Sequence, residues 1–237
     1  MQKRIIAAAL IAATPLFGAK VAMADELPIS ANISIVSDYA FRGISQTDQR
    51  PALQGGFDYE HDSGFYLGVW GSNVSWLQDL GASGSSLEID VYAGYATELG
   101  PFGVDVGLLQ YYYPGSYGGS YKADGNEKPH TLEGYVGLSY EFVSLTYSRS
   151  FTDLFGIPDS DGSGYFNLAA AYEIMDGLTL DASYGYSNIK NADNYKDWKL
   201  GLTKSYGGFD FGLHYVDTSE SGSLMDERFI LSVGKSF

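Results

Sequence analysis

The last ten residues of the chain, 228–237, alternate strictly between apolar and polar positions. Phe229, Leu231 and Val233 share one face, and the chain stops on Phe237. A period of two indicates a β-strand with one apolar and one polar side. A half-apolar strand left unpaired at a sheet edge invites aggregation. The pattern therefore predicts that this strand pairs with the first strand and closes a barrel.

The same alternation recurs along the rest of the chain in runs of about ten residues. It is clearest at residues 87–95, where Leu87 and Ile89 oppose Glu88 and Asp90. Twelve runs follow one another, and their connections alternate between about 8–17 and about 2–4 residues, as long external loops and short periplasmic turns do. We predict an all-β fold, a twelve-stranded antiparallel up-and-down transmembrane β-barrel in the bacterial outer membrane.

A soluble β-sandwich is the alternative, since its strands show the same alternation. It accounts poorly for so many consecutive one-sided strands with aromatic residues at their ends. The chain also contains 30 Gly and 20 Tyr but only 7 Pro. This composition suits twisted strands whose aromatic residues lie at a membrane interface.

The amino terminus has the features of a secretory leader. Lys3 and Arg4 precede an apolar segment, residues 5–18, and an A-x-A cleavage site ends at Ala24. We predict a signal peptide over residues 1–24, which leaves residues 25–237 as the outer-membrane barrel.

The mature chain is strongly acidic. The full chain has a net charge of −15, and removing the three cations of the predicted leader lowers it to −18. A negatively charged protein repels the phosphates of nucleic acid, which argues against nucleic acid as a partner. The chain has no Cys, so neither disulfides nor thiolate metal sites are available.

Five stretches of the chain resemble the TorF-type porin family of small proteobacterial outer-membrane β-barrel proteins. They are residues 37–45 (SDYAFRGIS), 68–73 (GVWGSN), 88–95 (EIDVYAGY), 111–115 (YYYPG) and 233–237 (VGKSF). The resemblance implies an outer-membrane location and a pore, without an established substrate or catalytic residues. The terminal Phe237 also resembles the signal by which the outer-membrane assembly machinery recognises its clients.

If the apolar faces meet lipid, the polar faces line a lumen and seven charged residues lie in its upper part. We expect Arg42, Lys199 and Arg228 to face Glu88, Asp90 and Glu133 across the pore, with Asp38 on the first strand. Such opposed rows would produce a transverse field that sets ion preference. In the alternative, the same charges pair directly and plug the barrel, since twelve strands lie between filled and open barrels.

These features predict a channel for passive diffusion of small polar solutes, with mild preference for cations or zwitterions. A non-conducting surface or structural barrel, for adhesion or envelope integrity, is the alternative. We expect contacts with outer-membrane lipid and lipopolysaccharide. We assign no catalytic, cofactor-binding or metal-binding residues: no motif supports a triad around His61, His130 or His214, and residues 153–164 lack the later Glu of a calcium loop.

Overall fold

The computed structural model describes residues 28–237, so the predicted signal peptide lies outside the described residues. Fourteen strands and two short helices are formed within residues 28–237. The strands are β1 Ile29–Val36, β2 Ala40–Phe41, β3 Ile44–Ser45, β4 Ala52–Glu60, β5 Phe65–Asn73, β6 Leu87–Leu99, β7 Phe102–Tyr112, β8 Thr131–Tyr140, β9 Val143–Ser150, β10 Gly164–Met175, β11 Leu178–Asn188, β12 Tyr195–Tyr206, β13 Phe209–Thr218 and β14 Arg228–Ser236. The helices are α1 Trp76–Asp79 and α2 Gly119–Ala123. Within residues 28–237, no helix is long and apolar enough to cross a membrane.

Twelve of the strands form a closed antiparallel barrel, which confirms the predicted fold. The barrel closes where β14 pairs with β1, in a register that places Asn32 opposite Ser236 and Val36 opposite Ser232. Two backbone hydrogen bonds extend this seam, because Ala31 and Phe237 exchange both of their N–H···O contacts, at 3.2 and 2.8 Å. The terminal strand therefore removes both sheet edges, as its alternation predicts.

The outside of the barrel is apolar and the inside is polar. On β14, Phe229 and Leu231 remain 68% and 61% exposed, whereas the inward Arg228 is largely covered. The exterior of the other strands is equally apolar, with Ile35 and Phe57 among its exposed residues. In water this surface would be unstable, and in lipid it satisfies the hydrophobic effect while the closed ladder satisfies the backbone. The protein is therefore located in the bacterial outer membrane.

The first strand ends earlier than its sequence pattern indicates. The alternation predicts a strand over residues 31–42, but β1 ends at Val36 and its pairing with β14 at Ser37. The following residues turn inward, and Arg42 adopts a φ of 47° that no strand residue has. The prediction of Arg42 as a strand residue is therefore wrong, because the alternation of this segment continues into an inward hairpin.

Tyrosine rings inside the barrel lie flat over glycines of the neighbouring strands. A Cβ added to Gly94 would lie 2.3 Å from the Tyr66 hydroxyl, and one added to Gly107 would lie 2.4 Å from the Tyr135 hydroxyl. Tyr92 covers a third glycine on β5 in the same way. These pairs explain part of the unusual Gly and Tyr content, since each ring needs a neighbour without a side chain. Such tyrosines pack in the lumen, away from the membrane interface where the composition alone placed them.

Candidate functional site: the occupied lumen

The first external loop, residues 37–51 (loop L1), folds into the lumen as a hairpin. Its two short strands, β2 and β3, are joined by Arg42 and Gly43, both with positive φ, 47° and 80°. Two-residue hairpin turns need this conformation. Gly43 also approaches the barrel wall so closely that a Cβ would lie 2.5 Å from the Thr218 Cγ2. The tip of loop L1 therefore crosses the lumen and packs against the wall formed by β12 and β13.

Asp38 holds the base of loop L1. Its carboxylate accepts hydrogen bonds from the hydroxyls of Ser45, at 2.6 Å, and Thr47, at 3.0 Å. It also pairs with the Arg228 guanidinium at 2.7 Å, and Arg228 donates a further bond to the Gly43 carbonyl at 2.6 Å. Arg228 thus joins the closing strand to both ends of the hairpin, which fixes the loop in its inward position.

Arg42 anchors the tip of loop L1 to the opposite wall. Its guanidinium donates to both carboxylate oxygens of Glu133 on β8, at 2.9 and 2.7 Å. The same group lies 4.2 Å from the ring centroid of Tyr165, a cation–π contact. Burial alone would lower the pKa of Arg42, but the Glu133 carboxylate outweighs it, so the pKa is raised and the cation persists.

Next to this pair lies an acidic wall. Glu88 and Asp90 occupy inward positions of β6, which is separated by β7 from β8 and Glu133, and all three are at most 2% exposed. Tyr39 of loop L1 donates its hydroxyl to Glu88 at 3.0 Å and packs edge-on against Trp70. Neither oxygen of Asp90 has a hydrogen-bond partner among the residues that the structure describes. The acidic wall consists of Glu88, Asp90 and Glu133.

Burial and the nearby carboxylates also set the protonation of Tyr39. Burial is the largest cause, followed by the negative charges of Glu88 and Asp90, and together they raise the pKa of Tyr39 well above its ordinary value. The phenol therefore stays neutral and acts only as a donor toward Glu88.

A second charged cluster lies further along the lumen. Lys199 on β12 pairs with Asp181 on β11 at 3.0 Å, and His214 on β13 reaches the other oxygen of Asp181 at 3.2 Å. Tyr66 donates to Asp105 at 2.7 Å on the opposite side of the barrel. Charged side chains therefore lie at two heights along the barrel axis. At each height, a tyrosine hydroxyl donates a hydrogen bond to a carboxylate.

All seven predicted lumen residues are inside the barrel, and most of them are in direct contact. Arg42, Arg228 and Lys199 each form an ion pair with a carboxylate, so they do not form a basic row separated from an acidic row. Their pore-lining role remains a prediction. The alternation did not identify Tyr39 or Tyr165 as contributors to this interior. Trp70 and Asp181 could be assigned to it, because both fall on the inward face of their strands.

The three histidines lie apart from one another. His61 bonds Ser63 at 2.7 Å within an exposed turn, His130 stacks on Tyr112 with centroids 4.8 Å apart, and His214 contacts Asp181. Among residues 28–237, no three His, Asp or Glu side chains are arranged to hold a metal ion.

A closed barrel with an apolar exterior, a charged interior and an inward-folded loop defines an outer-membrane β-barrel protein. The chain belongs to the family described as bacterial protein of unknown function (Gcw_chp), whose model matches residues 21–237. A search of curated proteins gives no significant match.

Two solved porins have similar folds. The KdgM porin aligns with a TM-score of 0.57 at 11% identity, over 88% of this chain and 99% of that one. The NanC porin aligns with a TM-score of 0.54 at 13% identity, over 87% of this chain and 97% of that one. At these identities the likeness concerns the fold.

Proposed function

We propose that this protein is an outer-membrane channel for small polar solutes, of the TorF type, whose lumen is narrowed by loop L1. The observation that carries the proposal is a polar, charged interior inside a closed twelve-stranded barrel. A barrel of this size has room for side chains and for a narrow path, depending on how the interior is filled. The KdgM porin, which has a similar fold, has been solved in complex with oligogalacturonate.

The interior charge supports a mild preference for cations or zwitterions. Buried or half-buried carboxylates outnumber cations in the lumen, and each of the three lumen cations is already paired. Glu88 and Asp90 have no cation within ion-pair distance among the residues that the structure describes. Where these carboxylates are ionised, the unbalanced charge is negative, which attracts cations and repels anions along a narrow path.

Single-channel recording in planar bilayers tests both parts of the proposal. We expect discrete conductance steps and a reversal potential on the cation-selective side in a salt gradient. Replacing Arg42 and Arg228 by Ser should increase cation selectivity, because Glu133 and Asp38 then lose their counter-charges. An unchanged reversal potential would overturn the electrostatic part.

A control for this variant, outside the lumen, is Lys235→Ser. The Lys235 ammonium lies on the outside of the barrel, within 5.3 Å of the ring centroid of Phe209 and 4.9 Å of that of Phe237. This substitution removes one positive charge from the protein without changing the lumen. We expect its reversal potential to equal that of the wild type.

A non-conducting surface or structural barrel is the second candidate, and one observation favours it. The charges of loop L1 are paired directly with the barrel wall, which is the geometry of a plug. This candidate is supported if correctly inserted barrels repeatedly give no conductance, even after loop L1 is released. Discrete conductance in either state would support the channel.

We infer that Phe237 is read by the outer-membrane assembly machinery, because it ends the strand that closes the barrel. We assign the protein no reaction. Incubating it with phospholipid and lipopolysaccharide tests this, since hydrolysis of either would require an enzymatic role.

A further inference from the structure

Three cations gather on the outer rim of the barrel, away from the lumen. Arg149 lies near the end of β9, Lys190 in the loop after β11, and Lys196 near the start of β12; these three are called the rim patch. All three are exposed. They lie at the end of the barrel that carries the long connections, which is the external end. The same loops also carry Asp159, Asp161 and Asp193, so the question is which of these charges are paired.

Two of these cations converge on one point. A Cβ added to Gly162 would lie 2.9 Å from the Lys190 Nζ and 3.1 Å from an Arg149 Nη, so the two nitrogens are at most about 6 Å apart. Lys190 donates to the backbone carbonyl of Asp161. Neither cation forms an ion pair with a carboxylate anywhere in residues 28–237. Two like charges this close repel one another, and an anion placed between them would remove the repulsion.

An outward aromatic row borders the rim patch on its membrane side. Tyr147, Phe166 and Tyr186 lie opposite one another on three successive strands, and the row ends at Lys196. The rings of Tyr147 and Phe166 are 4.5 Å apart. Arg149 lies two residues beyond Tyr147, toward the external end. Cations directly outside an aromatic belt are at the depth of lipid headgroups.

We propose that the rim patch binds the phosphate of a phosphorylated glycolipid of the outer leaflet, lipopolysaccharide. Arg149 and Lys190 hold one phosphate between them, because guanidinium and ammonium groups are the usual phosphate donors of proteins. Gly162 leaves space at the point where they converge. The acyl chains then pack along the aromatic row below. Inorganic phosphate shares the anion chemistry but makes no use of the aromatic row, so the site is assigned to the lipid.

Native mass spectrometry of the full chain in detergent, titrated with purified lipid A, tests this site. We expect wild-type protein to bind diphosphorylated lipid A at least about tenfold more tightly than the dephosphorylated form, as charge-assisted hydrogen bonds would require. The variant R149S/K190S should lose this difference. Equal affinity of the wild type for the two lipids would overturn the proposal. This comparison of lipids uses the wild-type protein alone and needs no variant.

The control variant is K204S/K235S, which removes the exposed Lys204 and the half-buried Lys235 from the periplasmic end. It has the same net charge as R149S/K190S. If the control keeps its preference for phosphorylated lipid A and R149S/K190S loses it, the effect is assigned to the rim patch. Equal loss in both variants would show that only net charge matters and would refute the site. Displacement of lipid A by equimolar inorganic phosphate would assign the patch to the free anion. Conductance is not part of these readouts, so the result is independent of channel activity.

Discussion

The ion pair between Arg42 and Glu133 is the contact whose removal should change the lumen most. The two side chains are 5% and 3% exposed and share two hydrogen bonds. Removing one partner of such a buried pair costs about 3–5 kcal/mol, because the other charge stays buried without compensation. Arg42 is at the tip of loop L1, so undocking of the loop relieves this cost without unfolding the barrel. At 1.4 kcal/mol per decade, Arg42→Gln should favour the undocked loop by about a hundredfold or more.

Hydrogen exchange of the backbone amides of residues 37–51 measures this equilibrium, because exchange requires the loop to open. Arg42→Gln and Glu133→Gln should each accelerate exchange by about a hundredfold. The double variant removes both charges, and we expect it to exchange more slowly than either single variant. The coupling free energy from this double-mutant cycle isolates the pair from other effects of the substitutions. Single-channel conductance should rise in parallel.

Arg50→Gln provides a matched control for the same loop. Its ion pair with Asp48 is on the surface, where the two side chains are 73% and 44% exposed. Exposed pairs contribute between about 0 and 1 kcal/mol, so this substitution should leave exchange and conductance near wild-type values. Wild-type exchange in Arg42→Gln, or additive effects in the double variant, would refute the role assigned to the buried pair.

Three further predictions concern other parts of the structure. Gly94→Ala should destabilise the barrel by about 1–3 kcal/mol in urea unfolding, since its Cβ would clash with a tyrosine ring and a backbone oxygen; Gly137→Ala, with 3.6 Å of clearance, should be neutral. Glu88→Gln with Asp90→Asn should shift the reversal potential toward anions; no shift would contradict the electrostatic argument. Phe237→Ser should lower the folded fraction in outer membranes, measured by heat-modifiable gel mobility, and an unchanged fraction would argue against its signal role.

The barrel could be predicted because alternation is forced by the physics of a strand between lipid and a polar interior. On β6, Leu87 and Val91 face lipid while Glu88 and Asp90 face the lumen, as the pattern indicates. A shift of one residue would place those carboxylates in lipid, so the register of each strand is strongly determined. The same reasoning identified the closing contact of the first and last strands.

The path of loop L1 could not be predicted from the pattern. Tyr39 and Phe41 continue the alternation of β1, so nothing local indicates that the strand ends at Val36. The chain turns inward because distant partners receive it, Glu88 for Tyr39 and Glu133 for Arg42. Alternation assigns charges to the lumen, but it does not determine which of them touch, because the contacts depend on loop geometry.

The acidic wall explains why loop L1 brings a cation into the lumen. Without Arg42, the carboxylates of Glu88 and Asp90 on β6 and of Glu133 on β8 would share one side of the lumen with no counter-charge, which is costly in a poorly solvated interior. Docking of the loop supplies that charge. A cation that enters the lumen and binds these carboxylates must compete with Arg42 for Glu133. Docking of the loop therefore weakens the binding of such a cation. By thermodynamic linkage, the bound cation favours the undocked loop by the same free energy.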